Sequence, residues 1–141
     1  MTRIWLALLL ATIYGCSPMI ATDNSTLRYF KKRGLKCNIQ LDSIYNHPLR
    51  WIEVSTLKKD TLPIVLFVHG APGSANNFYE FLADTLLLNH ARLISVDRLG
   101  YSPDDQGESV VSIQKQSDAL EKVLSHYQFP WLLVVGHSYG G

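Results

Sequence analysis

Charge is scarce in this 141-residue chain: 18% of residues are charged and the net charge is +1. Its longest basic run is Lys31-Lys-Arg33. A nucleic-acid partner therefore has no electrostatic footing. Cysteine is nearly missing as well. Cys16 and Cys37 are the only two, with no C-x-x-C pair, so no zinc site is expected. No internal repeat and no low-complexity stretch occur, which excludes solenoids and disordered linkers of biased composition. The apolar run near the amino terminus, Ile4 to Ile13, is ten residues long, whereas a bilayer crossing takes roughly twenty. What is present, 47% hydrophobic residues, is the composition of one globular domain.

Met1-Thr-Arg3 followed by that short apolar run has the layout of a secretory signal. The run leads into Ile13-Tyr-Gly-Cys16, which resembles the lipobox of bacterial lipoproteins, although Tyr14 is bulkier than the usual occupant of its position. The resemblance implies a signal over residues 1–15, acylation of Cys16, and anchoring to a membrane, with Ser17 pointing to the periplasmic face of an outer membrane. An ordinary signal cut near Ala21 and a misassigned start are the alternatives. Lipid on Cys16 would leave Cys37 as a single, inert, partly buried thiol; a Cys16–Cys37 disulfide competes with that reading. Residues 16–35 are polar and read as a tether, so the folded domain is expected over 36–141.

Alternation at Cys37, Ile39 and Leu41 suggests a strand over 36–44, and Leu49 to Ser55 alternates again. With a turn at Asn46-His-Pro48 between them, the two form an expected antiparallel hairpin. Leu62-Pro-Ile-Val-Leu-Phe-Val68 is continuously apolar, as a strand covered on both faces must be. Asn76 or Asn77 could cap a helix carrying Phe78, Phe81, Leu82 and Leu86. Ala91 to Val96 is the next strand. A polar loop then precedes a helix with Val110, Ile113, Leu120, Leu124 and Tyr127 on one stripe, closed by Pro130. The last strand runs from Trp131 to Val135. Strand, helix, strand, helix, strand is the signature of parallel βαβ units.

That last strand breaks into Gly136-His-Ser-Tyr-Gly140. A serine at the tip of a tight strand-to-helix turn has neighbouring backbone on both sides, so the positions two before and two after it must be glycine. With glycine at about 7% of residues, chance alone surrounds a serine in this way roughly once in two hundred trials. The other strands end in equally marked loops, His69-Gly-Ala-Pro-Gly-Ser74 and Asp97-Arg-Leu-Gly-Tyr-Ser102. All three lie where open α/β sheets bind ligands.

Together these motifs resemble the α/β-hydrolase superfamily, in particular its HGxPG-loop branch containing prolyl iminopeptidases and epoxide hydrolases. The resemblance covers residues 36–141, as the amino-terminal half of that fold: an antiparallel hairpin, then parallel βαβαβ, with the Val65 strand between the Ile94 and Val134 strands. It implies that Ser138 is the nucleophile, and that the backbone N–H groups of Ala71 and Tyr139 form an oxyanion hole. Asp97 is implied to hold a turn rather than to catalyse. His69 and His137 tempt as bases, but the first belongs to the oxyanion loop and the second should be aimed away by the sharp turn. Serine at position 138 argues against the epoxide and haloalkane branches, which use aspartate there.

The expected activity is hydrolysis of an ester or amide of a small molecule or peptide through an acyl-serine, with no cofactor and no metal. In the family the acid and the histidine of the triad follow the serine. Only three residues follow Ser138 here. The expectation is accordingly a fragment, inactive alone, of an active parent. Two other classes compete. The loop at Gly70-Ala-Pro-Gly-Ser-Ala-Asn-Asn77 loosely resembles a phosphate-binding loop but lacks its Gly-Lys-Ser/Thr ending, and no G-x-G-x-x-G follows a strand. A membrane-anchored lipoprotein that uses the fold only for binding is the other.

Overall fold

The computed structural model describes residues 21–57, 61–105 and 110–141. The apolar run Ile4–Ile13 and Cys16 lie outside the described residues. Among those described, no helix is long and apolar enough to cross a membrane.

Five strands form one mixed sheet: β1 (Cys37–Ile44), β2 (His47–Val54), β3 (Ile64–Val68), β4 (Arg92–Asp97) and β5 (Leu132–Gly136), in the spatial order β1-β2-β4-β3-β5. The hairpin is present, paired from Cys37–Val54 to Ile44–His47. Its turn is Tyr45-Asn46, with φ of 55° and 64°, as a tight two-residue connection with the twist of a type I′ turn requires. The turn expected at Asn46-His-Pro48 is thus displaced; His47 and Pro48 already belong to β2, where Pro48 lies opposite Ser43. From β4 onward the sheet is parallel, and β3 lies between β4 and β5.

β3 is buried along its whole length because both faces are covered. Val65 and Phe67 face one cluster with Ile52, Phe78, Leu82, Leu88 and Leu93. Ile64, Leu66 and Val68 face the other, with Trp51, Ile94, Val96, Ala119 and Val123. Helix α4 (Ile113–Leu124), capped by Ser112, covers that second face. Its buried stripe is Ala119 and Val123, while Ile113 is 77% exposed. The helix ends at Leu124, capped by Ser125, well before Pro130.

Two expectations are corrected. In place of one helix after the β3 loop there are three short pieces: a 3₁₀ turn Ala75–Phe78, α2 (Tyr79–Leu82) and α3 (Thr85–Leu88). Ser74, not Asn76 or Asn77, opens the first, and the Asp84 carboxylate accepts from the N–H groups of Leu86 and Leu87, opening the third. That restart carries Leu88 into the core and leaves Leu86 outside.

The second correction concerns the tether. Its described part folds as helix α1 (Asp23–Lys31), with Thr22 as N-cap. Thr26 and Phe30, four apart, fall on one face and are fully buried. Phe30 packs edge-on against Tyr79, and Thr26 hydrogen-bonds the Tyr79 hydroxyl. Asp23 reaches the buried Arg50 of β2 at 2.8 Å. Phe30→Ala should therefore destabilise the fold by about 3–5 kcal/mol. Urea unfolding of the full chain checks this; a loss near zero would mean that α1 is not part of the domain.

Candidate active site

Because β4, β3 and β5 are adjacent and parallel, their carboxyl ends form one edge of the sheet, and the three marked loops meet there. The β5 loop is the most constrained. Ser138 has φ 55°, in the left-handed region, and its side chain is exposed. A 3₁₀ turn, Ser138–Gly140, closes behind it, with the Gly140 N–H donating to the His137 carbonyl at 3.0 Å. The His137 N–H donates to the Val68 carbonyl at 3.1 Å, tying the turn to β3.

Both flanking glycines are required by close approach. A Cβ on Gly140 would lie 2.5 Å from the carbonyl oxygens of Val68 and His69, and one on Gly136 would lie 2.5 Å from the Gly141 Cα. The β3 loop is as near. A Cβ on Gly70 would come within 2.9 Å of the Ser138 Cβ. The two motifs separated by most of the domain's length are thus in contact at the serine. Among the described residues, neither the Ala71 nor the Tyr139 N–H donates a hydrogen bond. These are the two donors expected of an oxyanion hole.

Asp97 is fully buried at the end of β4. One carboxylate oxygen accepts the Ala75 N–H at 2.6 Å, and the other takes the Arg50 guanidinium at 2.6 Å. Burial pushes its carboxyl above the ordinary range, against the pull of Arg50 and the Ala75 N–H. Both oxygens are committed, one to the segment after β3 and the other to β2, a structural task.

His69 is buried with both ring nitrogens occupied: Nδ1–H donates to the Gly70 carbonyl at 2.6 Å, and Nε2 accepts the Arg98 N–H at 3.1 Å. That pattern requires the neutral ring, and burial lowers its pKa in the same direction. His69 is spent on joining the β3 and β4 loops. The His137 ring makes no hydrogen bond to Ser138, and no histidine or carboxylate bonds that hydroxyl among the described residues. Nor does any group of three metal-ligating side chains occur there.

A cavity of about 350 Å³ opens beside Ser138 and Tyr139. Val68, Arg98, Ile113 and Gln116 contribute to its wall. Ile113, expected in the core, stands here instead. Gln116 clamps the β4 loop, accepting the Leu99 N–H at 3.0 Å and donating to the Leu99 and Val110 carbonyls. Arg98 was not singled out by sequence; a cation directly after the structural Asp97 was the available signal.

Residues 63–141 match the family described as alpha/beta hydrolase fold. The chain belongs to that family. A proline iminopeptidase of Lactobacillus delbrueckii subsp. lactis is 33% identical over 86 residues, which is 58% of this chain and 29% of that enzyme. The chain thus spans less than a third of the length of the curated relatives it matches. Among solved structures, a thioesterase domain from the curacin biosynthetic pathway superposes with a TM-score of 0.61 at 20% identity, covering 74% of this chain and 38% of that one. The haloalkane dehalogenase DbeA from Bradyrhizobium elkani USDA94 gives 0.60 at 18% identity, with 74% and 34% covered. Both show the alpha/beta hydrolase fold and nothing finer.

Within this alpha/beta hydrolase sheet the close approach of Gly140 gives a direct test. Gly140→Ala should destabilise the turn by about 1–3 kcal/mol, the usual cost of overpacking. Thermal unfolding of the full chain measures it, and an unchanged midpoint would show that the turn has room for a methyl group there.

Proposed function

We propose that the whole protein is a serine hydrolase acting on an ester or amide bond, with Ser138 as its nucleophile. The supporting observation is the setting of Ser138: an exposed hydroxyl on a left-handed tip packed against the Gly70 loop, with the N–H groups of Ala71 and Tyr139 donating to nothing among the described residues. In the proposed reaction, Ser138 Oγ attacks the carbonyl carbon and its proton leaves to a base. The N–H groups of Ala71 and Tyr139 hold the oxyanion of the tetrahedral intermediate. The bond to the leaving alcohol or amine breaks, and the leaving group takes a proton. Water then hydrolyses the acyl-serine and restores the hydroxyl. The likeness to proline iminopeptidases favours a peptide amide among the possible substrates. Since none of the described residues bonds the Ser138 hydroxyl, the activity proposed is that of the whole protein, and residues 21–141 alone are proposed to be inactive.

A fluorophosphonate probe tests the assignment. Attack by Ser138 forms an O–P bond, expels fluoride and releases the serine proton. The full-length protein should be labelled, and Ser138→Ala should abolish labelling. Equal labelling of the alanine variant would sink it. A full-length protein that binds small esters but is never labelled would favour the non-catalytic binding reading.

Membrane attachment is a separate proposal, carried by Ile13-Tyr-Gly-Cys16 after the short apolar run. A bacterium that processes lipoproteins should add labelled palmitate at Cys16 and hold the product at its outer membrane. Label that persists in Cys16→Ser would rule out this site, and soluble release after cleavage near Ala21 would favour an ordinary signal.

A further inference from the structure

We infer that Arg98 is the positioning residue of the candidate oxyanion hole, holding Tyr139 through its charge; this rests on the reading of Ser138 as nucleophile. Arg98 is 4% exposed. It links all three loops of the site, through its backbone to the β3 loop and through its side chain to the other two. Its backbone N–H donates to His69 Nε2 in the β3 loop. Its Nη1 donates to the Tyr139 carbonyl at 3.3 Å in the β5 loop. Its guanidinium carbon lies 4.6 Å from the ring centre of Tyr101 in its own loop and 4.9 Å from that of Tyr139.

The arrangement is poor for stability. Nε and Nη2 are buried with no hydrogen-bond partner among the described residues. The adjacent carboxylate, Asp97, is occupied by Arg50 and Ala75, and among the described residues no acidic side chain lines the cavity. A buried cation with one neutral acceptor and two aromatic faces recovers only part of its lost hydration. What it does secure is Tyr139. The carbonyl is gripped from one side and the ring is held by the cation's attraction to its face. Tyr139 is exposed, so apart from the turn's own hydrogen bonds its carbonyl and ring are held by Arg98. The Ser138–Tyr139 peptide, which carries the oxyanion N–H, is held at its carbonyl by the Gly141 N–H at 3.1 Å, and Arg98 adds a second hold from the Tyr139 side. A preorganised donor stabilises the oxyanion more than one that must reorient during reaction.

A residue kept for packing and one kept for positioning differ in what their removal does. Arg98→Met fills similar space without the charge, so it should leave the melting temperature unchanged or raised. The same variant should lose reactivity. In the full-length protein, inactivation by a rhodamine fluorophosphonate would be resolved into its maximal rate and its half-saturating concentration. The maximal rate should fall roughly 10–100-fold, less than or comparable to the loss of a direct oxyanion donor. The half-saturating concentration should stay within about twofold. Arg98→Lys keeps the charge but not the fork, and should recover part of the rate. Several results would overturn the inference: variants that react at the wild-type rate, a lysine variant no better than methionine, or a methionine variant that melts early or fails to fold. Ser138→Ala separates the two readings. If wild type is not labelled at Ser138, the nucleophile reading falls and Arg98 with it. If wild type is labelled and the Arg98 variants match it, Arg98 alone falls.

Discussion

Asp97 has no access to water and makes hydrogen bonds with two parts of the chain that lie far apart in sequence. The Ala75 N–H on one oxygen fixes the start of the segment after β3. The Arg50 guanidinium on the other fixes β2 against the end of β4. Arg50 then passes the constraint outward to Asp23, so helix α1 is attached to the same carboxylate through one intermediary. Ser95, two residues earlier on β4, adds a hydrogen bond to the Ala75 carbonyl at 2.9 Å. In a low-dielectric interior such a chain holds only if every member is paired, because each unpaired charge costs several kcal/mol. The geometry near Ser138 depends on it. If the β3 loop moved by an ångström, Gly70 would no longer meet the serine Cβ.

Around the serine, crowding and polarity divide the work. Crowding places the turn: backbone carbonyls of Val68 and His69 leave room for no side chain on Gly140. Polar contacts then orient what crowding has placed. His69 bridges two loops with a single neutral ring, and Gln116 holds the β4 loop through three hydrogen bonds from helix α4. Every one of these groups is committed to structure. Among the described residues, the serine hydroxyl and the N–H groups of Ala71 and Tyr139 are left uncommitted.

Much of this could be read from the chain before any coordinates, for reasons that differ by element. β3 announces itself because a strand covered on both faces must be continuously apolar. The three loops announce themselves because close backbone approach admits only glycine, and glycine spacing is visible in sequence. Helix α1 was hidden. Its two buried residues, Thr26 and Phe30, are outnumbered by charged neighbours, and Lys31-Lys-Arg33 gives the segment the look of a solvated tether. The helical pieces after β3 were hidden differently, since nothing in Phe78 to Leu88 says that Asp84 will stop one turn and open another. Arg98 was not singled out because its contacts depend on which rings and carbonyl surround it, and Tyr139 comes from a loop 41 residues away in sequence.

The sheet order has a consequence for the chain as it leaves the ribosome. β3 is a central strand, yet its two neighbours are made at different times: β4 begins at Arg92, while β5 does not begin until Leu132. At synthesis rates of about 5–20 residues per second, one ladder of β3 waits several seconds after β4 has paired on the other side. During that wait an apolar strand with unpaired N–H and C=O groups is open to any passing chain. The nascent protein is thus most vulnerable to wrong pairing in the interval when helix α4 is being made. Whatever shields β3 during that interval governs how much of the chain reaches the arrangement in which Ser138 is presented.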